Sequence, residues 1–221
     1  MSKFVTQKVT DLPPSGIRKF FDLAATMDEC ISLSIGEPDF VTPKLMMDAA
    51  IESLHQGKTA YTSNAGLIEL RQEICNYLKK YDLSYDAAKE VLITVGASEA
   101  IDLAFRALLS AGDEVLIPDP SFVCYGPLTI MAGGTPVSLA TYEKDEFRLT
   151  AEELEKKITS NSKVLLLPYP NNPTGGIMRK EDYEPIAEVV KKHDLFVICD
   201  EIYSELVYGG EKHYSFAALP G

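Results

Sequence analysis

The chain has 221 residues, 46% of them apolar and 24% charged, so it is long enough to bury a hydrophobic core as a globular protein. Its formal net charge of −12 argues against nucleic acid or an anionic membrane as a partner, because either would favour a basic surface. Four widely spaced cysteines with no Cys-x-x-Cys pair, and no clustered histidines, indicate reduced thiols and no metal site.

The first ninety residues predict a short strand at 31–35 (ISLSI) and helices near 43–56 and 66–81. Gly36, Pro38 and Pro43 interrupt the pattern, so we place a boundary near residues 36–43. No apolar run approaches the ~18 residues of a membrane span, and the first residues lack a signal-peptide core. We therefore expect a cytoplasmic chain.

From Val91 onward the pattern alternates between short apolar runs and amphipathic stretches. The predicted strands are 91–95, 114–118, 135–140, 163–168 and 195–200, and the predicted helices are 98–110, 123–131, 151–158 and 180–193. Nearly continuous apolar strands separated by helices are typical of a parallel sheet that helices cover on both faces. The sequence predicts an α/β fold.

Ligands of such sheets bind beyond the carboxyl ends of the strands. Gly96-Ala97-Ser98 follows the first strand, where amide groups at a helix N-terminus favour a phosphate. The alternative for Ser98 is ordinary helix capping.

Asp200 ends an apolar strand, where an isolated carboxylate is costly and expects a cationic partner from elsewhere in the fold or from a ligand. Its alternative is to cap a helix that starts at Glu201. Tyr203 would lie one helical turn further on, near the same position, although a packing tyrosine is the commoner case.

Phe122 follows the strand at 114–118, and an aromatic ring there could cover a flat ligand, although alone it is more often a core residue. Together these residues predict a ligand with a phosphate, a flat ring, a basic ring nitrogen for Asp200, and a ring oxygen within reach of Asn172 and Tyr203. Pyridoxal 5'-phosphate (PLP) has those features.

Six ordered stretches carry a family resemblance: SIGEPDF (34–40), YTSNAGLIELR (61–71), VGASEA (95–100), PDPSFVCY (118–125), NNPTG (171–175) and CDEIY (199–203). From about Ile17 to Gly221 the chain resembles the fold-type I, PLP-dependent aminotransferases of class I/II. The resemblance implies that residues 1–40 are the N-terminal segment of a smaller domain and 41–221 a partial large cofactor-binding domain. It also implies a homodimer.

The resemblance assigns a role to each candidate. It implies that Ala97 and Ser98 hold the phosphate, Phe122 stacks on the pyridine ring, Asn172 and Tyr203 bind its phenolic oxygen, Asp200 keeps its nitrogen protonated, and Tyr61 reaches the phosphate of the neighbouring subunit's site. Gly36 would lie beside the substrate carboxylate. Tyr125 and Ile17 are predicted to contact the substrate side chain. The NNPTG turn is predicted to be a rigid corner that directs Asn172 at the cofactor.

The family places its Schiff-base lysine about thirty residues after the tyrosine that matches Tyr203, and this sequence has no match to it. Lys212 is the only lysine after Tyr203, and it lacks the serine expected near it. We therefore expect a fragment that has no catalytic lysine and is inactive alone.

The leading hypothesis is a parent enzyme that moves an amino group between an amino acid and a 2-oxo acid. The alternatives are a PLP-dependent carbon–sulfur β-lyase or cyclopropane-forming synthase, and a catalytically inactive cofactor-binding fragment. We do not expect a transcription regulator of this fold, because such a protein carries a winged-helix domain ahead of it and here fewer than forty residues precede Gly36-Glu37.

Overall fold

The computed structural model describes residues 3–13, 16, 20, 23–24, 26–27, 31 and 40–221. The predicted strand at 31–35 lies almost entirely outside the described residues, as do Gly36 and Ile17. The chain forms two compact units, one of residues 13–67 and one of residues 1–12 with 68–221. The assignment of residues 1–40 to a smaller domain stays a prediction.

In chain order, the helices of the described residues are α1 (Gln7–Asp11), α2 (Lys44–His55), α3 (Ile68–Leu78), α4 (Ala97–Leu108), α5 (Tyr125–Ala132), α6 (Ala151–Lys157) and α7 (Lys180–His193). Single 3₁₀ turns follow at Lys79–Tyr81, Glu143–Asp145 and Phe216–Ala218. Every predicted helix from residue 43 onward is present within a few residues of its predicted ends.

Four strands form the sheet: β1 (Glu114–Asp119), β2 (Thr135–Ala140), β3 (Ser162–Pro168) and β4 (Phe196–Asp200). Their order is β2-β1-β3-β4, and every neighbouring pair is parallel. In the last ladder Val164 is opposite Phe196, and Pro168 is opposite Asp200. The predicted α/β class is confirmed.

Side chains of the two central strands alternate between the two faces of the sheet. Val115, Ile117, Val164 and Leu166 pack with one cluster, which includes Ile101 and Phe105 of α4. Leu116, Leu165 and Leu167 pack with the other, which includes Leu154 of α6 and Ile186 of α7. Helices therefore cover both faces, which explains why the central parts of β1 and β3, Val115–Pro118 and Val164–Pro168, are apolar without interruption.

Local sequence sets the ends of the helices beneath the second face. Thr150 caps α6 by accepting a hydrogen bond from the Glu153 amide at 3.2 Å. The last turn of α7 carries Lys191 and Lys192, whose positive charge is favourable at the carboxyl end of a helix.

Two predicted elements are absent. Residues 91–95 do not form a strand, and Leu92 and Val95 are 57% and 91% exposed. A strand is stabilised by its ladder, and no described residue pairs with this run. The segment that starts at Glu201 forms hydrogen-bonded turns instead of a helix.

Across the described part of the chain, no helix is both long enough and apolar enough to span a membrane.

Candidate active site

The carboxylate of Asp200, at the carboxyl end of β4, is the centre of the candidate site. The Tyr125 hydroxyl donates a hydrogen bond to Asp200 Oδ2 at 2.9 Å. The backbone amide of Ile202 donates to Oδ1 at 3.2 Å. Where the sequence led us to expect a cation, the described residues supply a neutral phenol and an amide.

Tyr125 begins α5 and is only 3% exposed. Burial raises the pKa of its phenol, and the negative charge of Asp200 raises it further. The hydroxyl therefore stays protonated and donates a hydrogen bond to Asp200. Sequence reasoning missed this contact, and the predicted role of Tyr125 at the substrate side chain stays a prediction.

Phe122 lies beside this pair. Its ring meets the Tyr125 ring edge to face, with centroids 5.8 Å apart and planes at 80°. The residue is 38% exposed, so part of its ring faces outward. An exposed aromatic surface next to a partly buried carboxylate suits a flat ring that carries a basic nitrogen.

The N-terminus of α4 is the second part of the site. Gly96 occupies the capping position with a φ of +85°, and an added Cβ would meet nothing within 4 Å. Ser98 therefore lies inside the first turn, and the predicted alternative that Ser98 caps the helix is wrong. Because glycine has no side chain to cap them, first-turn amides at Ala97 and Ser98 point towards any ligand there.

The helix start and the carboxylate border the same space. A shallow pocket of about 290 Å³ is lined by residues of α4 and of the end of β4: Ala97, Ala100, Ile101, Ile198, Cys199, Asp200, Glu201 and Ile202. Ser98 Oγ also lies 4.0 Å from Cys124 Sγ, in the segment that leads to Tyr125. The structure thus brings the predicted phosphate and ring-nitrogen contacts together.

The corner at residues 171–176 is the third part. Asn171 is 5% exposed, and its side-chain oxygen accepts hydrogen bonds from the Thr174 hydroxyl at 3.1 Å and amide at 3.4 Å. Backbone bonds of 2.9 Å join Asn171 to Gly175 and to Gly176. A Cβ on Gly176 would come within 3.0 Å of the Glu146 carbonyl oxygen, so the chain needs glycine there.

This corner presents Asn172, whose Nδ2 lies 3.4 Å from the Tyr203 hydroxyl. The two side chains predicted to share one ring oxygen are therefore neighbours. Asn171, which sequence reasoning did not single out, holds the corner that positions them. This role of Asn171 could have been predicted from the sequence, because Asn side chains often bond the backbone of a turn two or three residues further on.

The remaining candidates lie in the other unit, outside the described residues or at another pocket. Tyr61 belongs to the unit of residues 13–67 and is fully exposed. Gly36 and Ile17 lie outside the described residues. Lys212 lines a different pocket, of about 420 Å³, together with Lys80, Tyr81, Arg179 and His213.

Comparison with known proteins identifies the family. Residues 28–219 match the family described as aminotransferase class I and II. The chain belongs to this family. Its members are generally dependent on PLP.

Individual members are closely similar. A putative aminotransferase of Bacillus subtilis is 50% identical over the whole chain, which covers 57% of that protein. Aromatic-amino-acid aminotransferase 2 of Thermococcus litoralis is 46% identical over 94% of the chain and 54% of its own length. The solved aspartate aminotransferase of Thermus thermophilus with maleate is 33% identical, with a TM-score of 0.91 over 98% of this chain and 58% of that one. The chain thus spans little more than half the length of the relatives it matches.

Proposed function

We propose that this chain is the cofactor-binding part of a PLP-dependent aminotransferase that moves an amino group between an α-amino acid and a 2-oxo acid. The observation that carries the proposal is the Asp200 carboxylate, held by Tyr125 at the carboxyl end of β4. Relatives of similar identity are named for aspartate and for aromatic amino acids, so the proposal covers α-amino acid donors as a class.

The residues present fit the cofactor. The N-terminus of α4 suits a dianionic phosphate, the outward face of Phe122 suits the pyridine ring, and the Asn172–Tyr203 pair suits a phenolic oxygen. When bound, PLP supplies an electron sink for the carbanion that forms at the substrate α-carbon.

The chain's own residues make that sink effective. Asp200 holds a proton at the ring nitrogen, because its carboxylate favours the positively charged form. The Tyr125 hydroxyl and the Ile202 amide fix the two oxygens of Asp200, so that the carboxylate keeps one orientation. Phe122 covers one ring face and excludes water from it.

The proton transfer at the α-carbon needs a positioned amine. Lys212 lines a pocket whose lining residues include neither Asp200 nor Ala97. We infer that the amine belongs to the part of the family's sequence that this chain does not cover.

We also infer a homodimer that covers helix α2. None of the residues of this helix is buried, and Leu45, Ile51 and Leu54 are 82%, 53% and 65% exposed. A patch of this kind on a helix indicates an interaction surface, and family members are commonly dimers. In such a dimer Tyr61 would reach the phosphate of the partner's site.

The test is a titration of the 221-residue chain with PLP, followed by visible absorbance. We expect Asp200→Asn to weaken binding at least tenfold, since it removes the charge opposite the ring nitrogen. Asp102→Asn, which breaks an Asp102–Arg106 ion pair on α4, is the matched control and should leave the affinity unchanged.

Equal affinity in the parent chain and in Asp200→Asn would contradict the proposal. Borohydride reduction and peptide mass spectrometry then locate any covalent adduct. Scattered, weak labelling is expected. A single lysine modified at high occupancy would show that this chain carries its own catalytic amine.

A further inference from the structure

The turn that carries Tyr203 is attached to the rest of the fold on both sides of that residue. Within the turn, Ser204 donates its amide to the Glu201 carbonyl at 3.0 Å, and Leu206 donates to the Tyr203 carbonyl at 2.8 Å. These local bonds shape the turn. They do not fix it against the neighbouring elements, so other contacts must set where the Tyr203 hydroxyl lies.

Glu205, two residues after Tyr203, makes the first attachment. Its Oε1 accepts a hydrogen bond from the Tyr81 hydroxyl at 3.0 Å and also contacts Tyr77 Oη and Lys80 Nζ. The hydrogen bond from Lys80, followed by those from the two phenols, lowers the pKa of Glu205 to about 2. The carboxylate is therefore ionised at neutral pH. In that state it can accept hydrogen bonds from all three donors, which lie in one short stretch of chain.

Glu201, two residues before Tyr203, makes the second attachment. Its Oε1 lies 3.4 Å from His213 Nε2, and the His213 side chain is only 4% exposed. Both atoms are buried, and among the described residues neither has a hydrogen-bond partner of good geometry. The 3.4 Å contact favours a fixed position, because separating the two groups would remove the polar contact that each makes with the other.

Both attachments meet at Tyr81. Its hydroxyl binds Glu205, and its ring meets the His213 ring edge to face, with centroids 5.2 Å apart and planes at 89°. The three residues Tyr81, Glu205 and His213, here called the Tyr81 cluster, touch neither Asp200 nor Asn172 in any contact described above. Each attachment is two residues from Tyr203, on opposite sides of it.

We propose that Tyr81, Glu205 and His213 are positioning residues that set the place of the Tyr203 hydroxyl from behind the turn. Loss of the Glu205 carboxylate leaves the turn attached on one side only, and loss of the Tyr81–Glu205 hydrogen bond weakens that attachment. Tyr203 then moves away from Asn172, which already lies at the long limit of hydrogen bonding at 3.4 Å.

The position of Tyr203 is measurable without a cofactor. The chain is prepared with 3-fluorotyrosine in place of its 11 tyrosines, and the ¹⁹F signal of Tyr203 is assigned as the one lost in Tyr203→Phe. The fluorine lies next to the hydroxyl, so its shift reports on the hydrogen bonds of that group. We expect Glu205→Ala and Tyr81→Phe to move this signal, and Glu205→Gln, which keeps an acceptor oxygen, to move it less.

Glu211→Ala is the matched control. Glu211 is another exposed carboxylate of the same C-terminal stretch, and it pairs with Arg179 at 2.6 Å. Its loss should leave the Tyr203 signal in place. Because Tyr81→Phe keeps the ring contact with His213, it retains the fold even if Glu205→Ala does not, and far-ultraviolet circular dichroism checks both. An unmoved signal in Tyr81→Phe, or an equal shift in Glu211→Ala, would overturn the proposal.

The consequence for the cofactor rests on the proposed function. We expect Glu205→Ala to weaken PLP binding about tenfold, the usual cost of misplacing one hydrogen-bond donor. If the parent chain does not bind PLP, the proposed function fails, while the ¹⁹F signal still decides whether the cluster positions Tyr203. Unchanged PLP affinity together with a moved signal would overturn the link to the cofactor.

Discussion

The corner at residues 171–176 and the segment at 91–96 lie at the two ends of the proposed cofactor site, yet they are held very differently. The corner follows β3, whose residues from Val164 to Leu167 are at most 1% exposed, and Asn171 bonds it internally. The segment at 91–96 has no ladder among the described residues, and Val95 is 91% exposed. The proposed ring-oxygen end is therefore organised by packing, and the proposed phosphate end by the start of one helix.

We expect the largest difference in the free energy of unfolding when a leucine in each of the two regions is replaced. Leu166 is fully buried in β3, and Leu92 is 57% exposed. Leu166→Ala should reduce the free energy of unfolding by about 2–5 kcal/mol, because it removes buried methyl groups and leaves a cavity. Leu92→Ala should change it by less than ~1 kcal/mol. Urea unfolding of both variants measures this, and similar losses would show that residues 91–95 are packed in solution.

A smaller difference is expected from two turn side chains. Asn171→Ala removes the oxygen that two groups of Thr174 share, and should cost about 1–3 kcal/mol because a partly buried amide loses its acceptor. Thr94→Ala removes the hydroxyl that donates to the Gly96 carbonyl at 2.9 Å in an exposed region. We expect that change to cost less than ~1 kcal/mol. Urea unfolding of both variants measures these two losses of unfolding free energy. Equal losses would contradict the expected difference between the corner and the segment at 91–96.

The smallest expected effect is on the free energy of unfolding at alkaline pH. Tyr169, which leads into the corner, is 1% exposed, and burial raises the pKa of its phenol. A raised folded pKa stabilises the protein below the unfolded value of ~10, and that contribution is lost as the pH rises further. Tyr169→Phe should lessen the fall in unfolding free energy by about 1.4 kcal/mol per pH unit above pH ~10.

Tyr208→Phe, at a ring that is 77% exposed, is the control for that titration. The slope of unfolding free energy against pH, measured between pH 9 and 11, should be the same in Tyr208→Phe as in the parent chain. An identical slope in Tyr169→Phe would mean that the Tyr169 phenol ionises freely in the folded protein.

Most of the fold was predictable because local pattern and burial agree. The apolar run from Val164 to Leu167 has no polar face, and only a strand covered on both sides accommodates it. The turn residues around Asn172 follow the strand directly, so the end of β3 could be located within one residue. The order of the family motifs in the sequence predicts the same fold.

The features of the structure that the sequence could not predict depend on contacts between distant residues. The run at 91–95 has the composition of a strand, but pairing decides whether a strand forms. The Tyr125–Asp200 bond joins residues that are 75 positions apart in sequence, and only the folded chain brings the start of α5 to the end of β4. The attachment of Glu205 to Tyr81 is of the same kind, and no local pattern in either segment indicates it.

The all-parallel order β2-β1-β3-β4 also has a consequence for how the chain folds. The four described strands contain no hairpin, and the central ladder joins Val115 to Val164, roughly fifty residues later. Each ladder can form only after a long loop has closed, so the sheet has no short-range starting point. We expect slow folding compared with a helical bundle of this size, with α4 and α7 forming helical turns before any pair of strands has met.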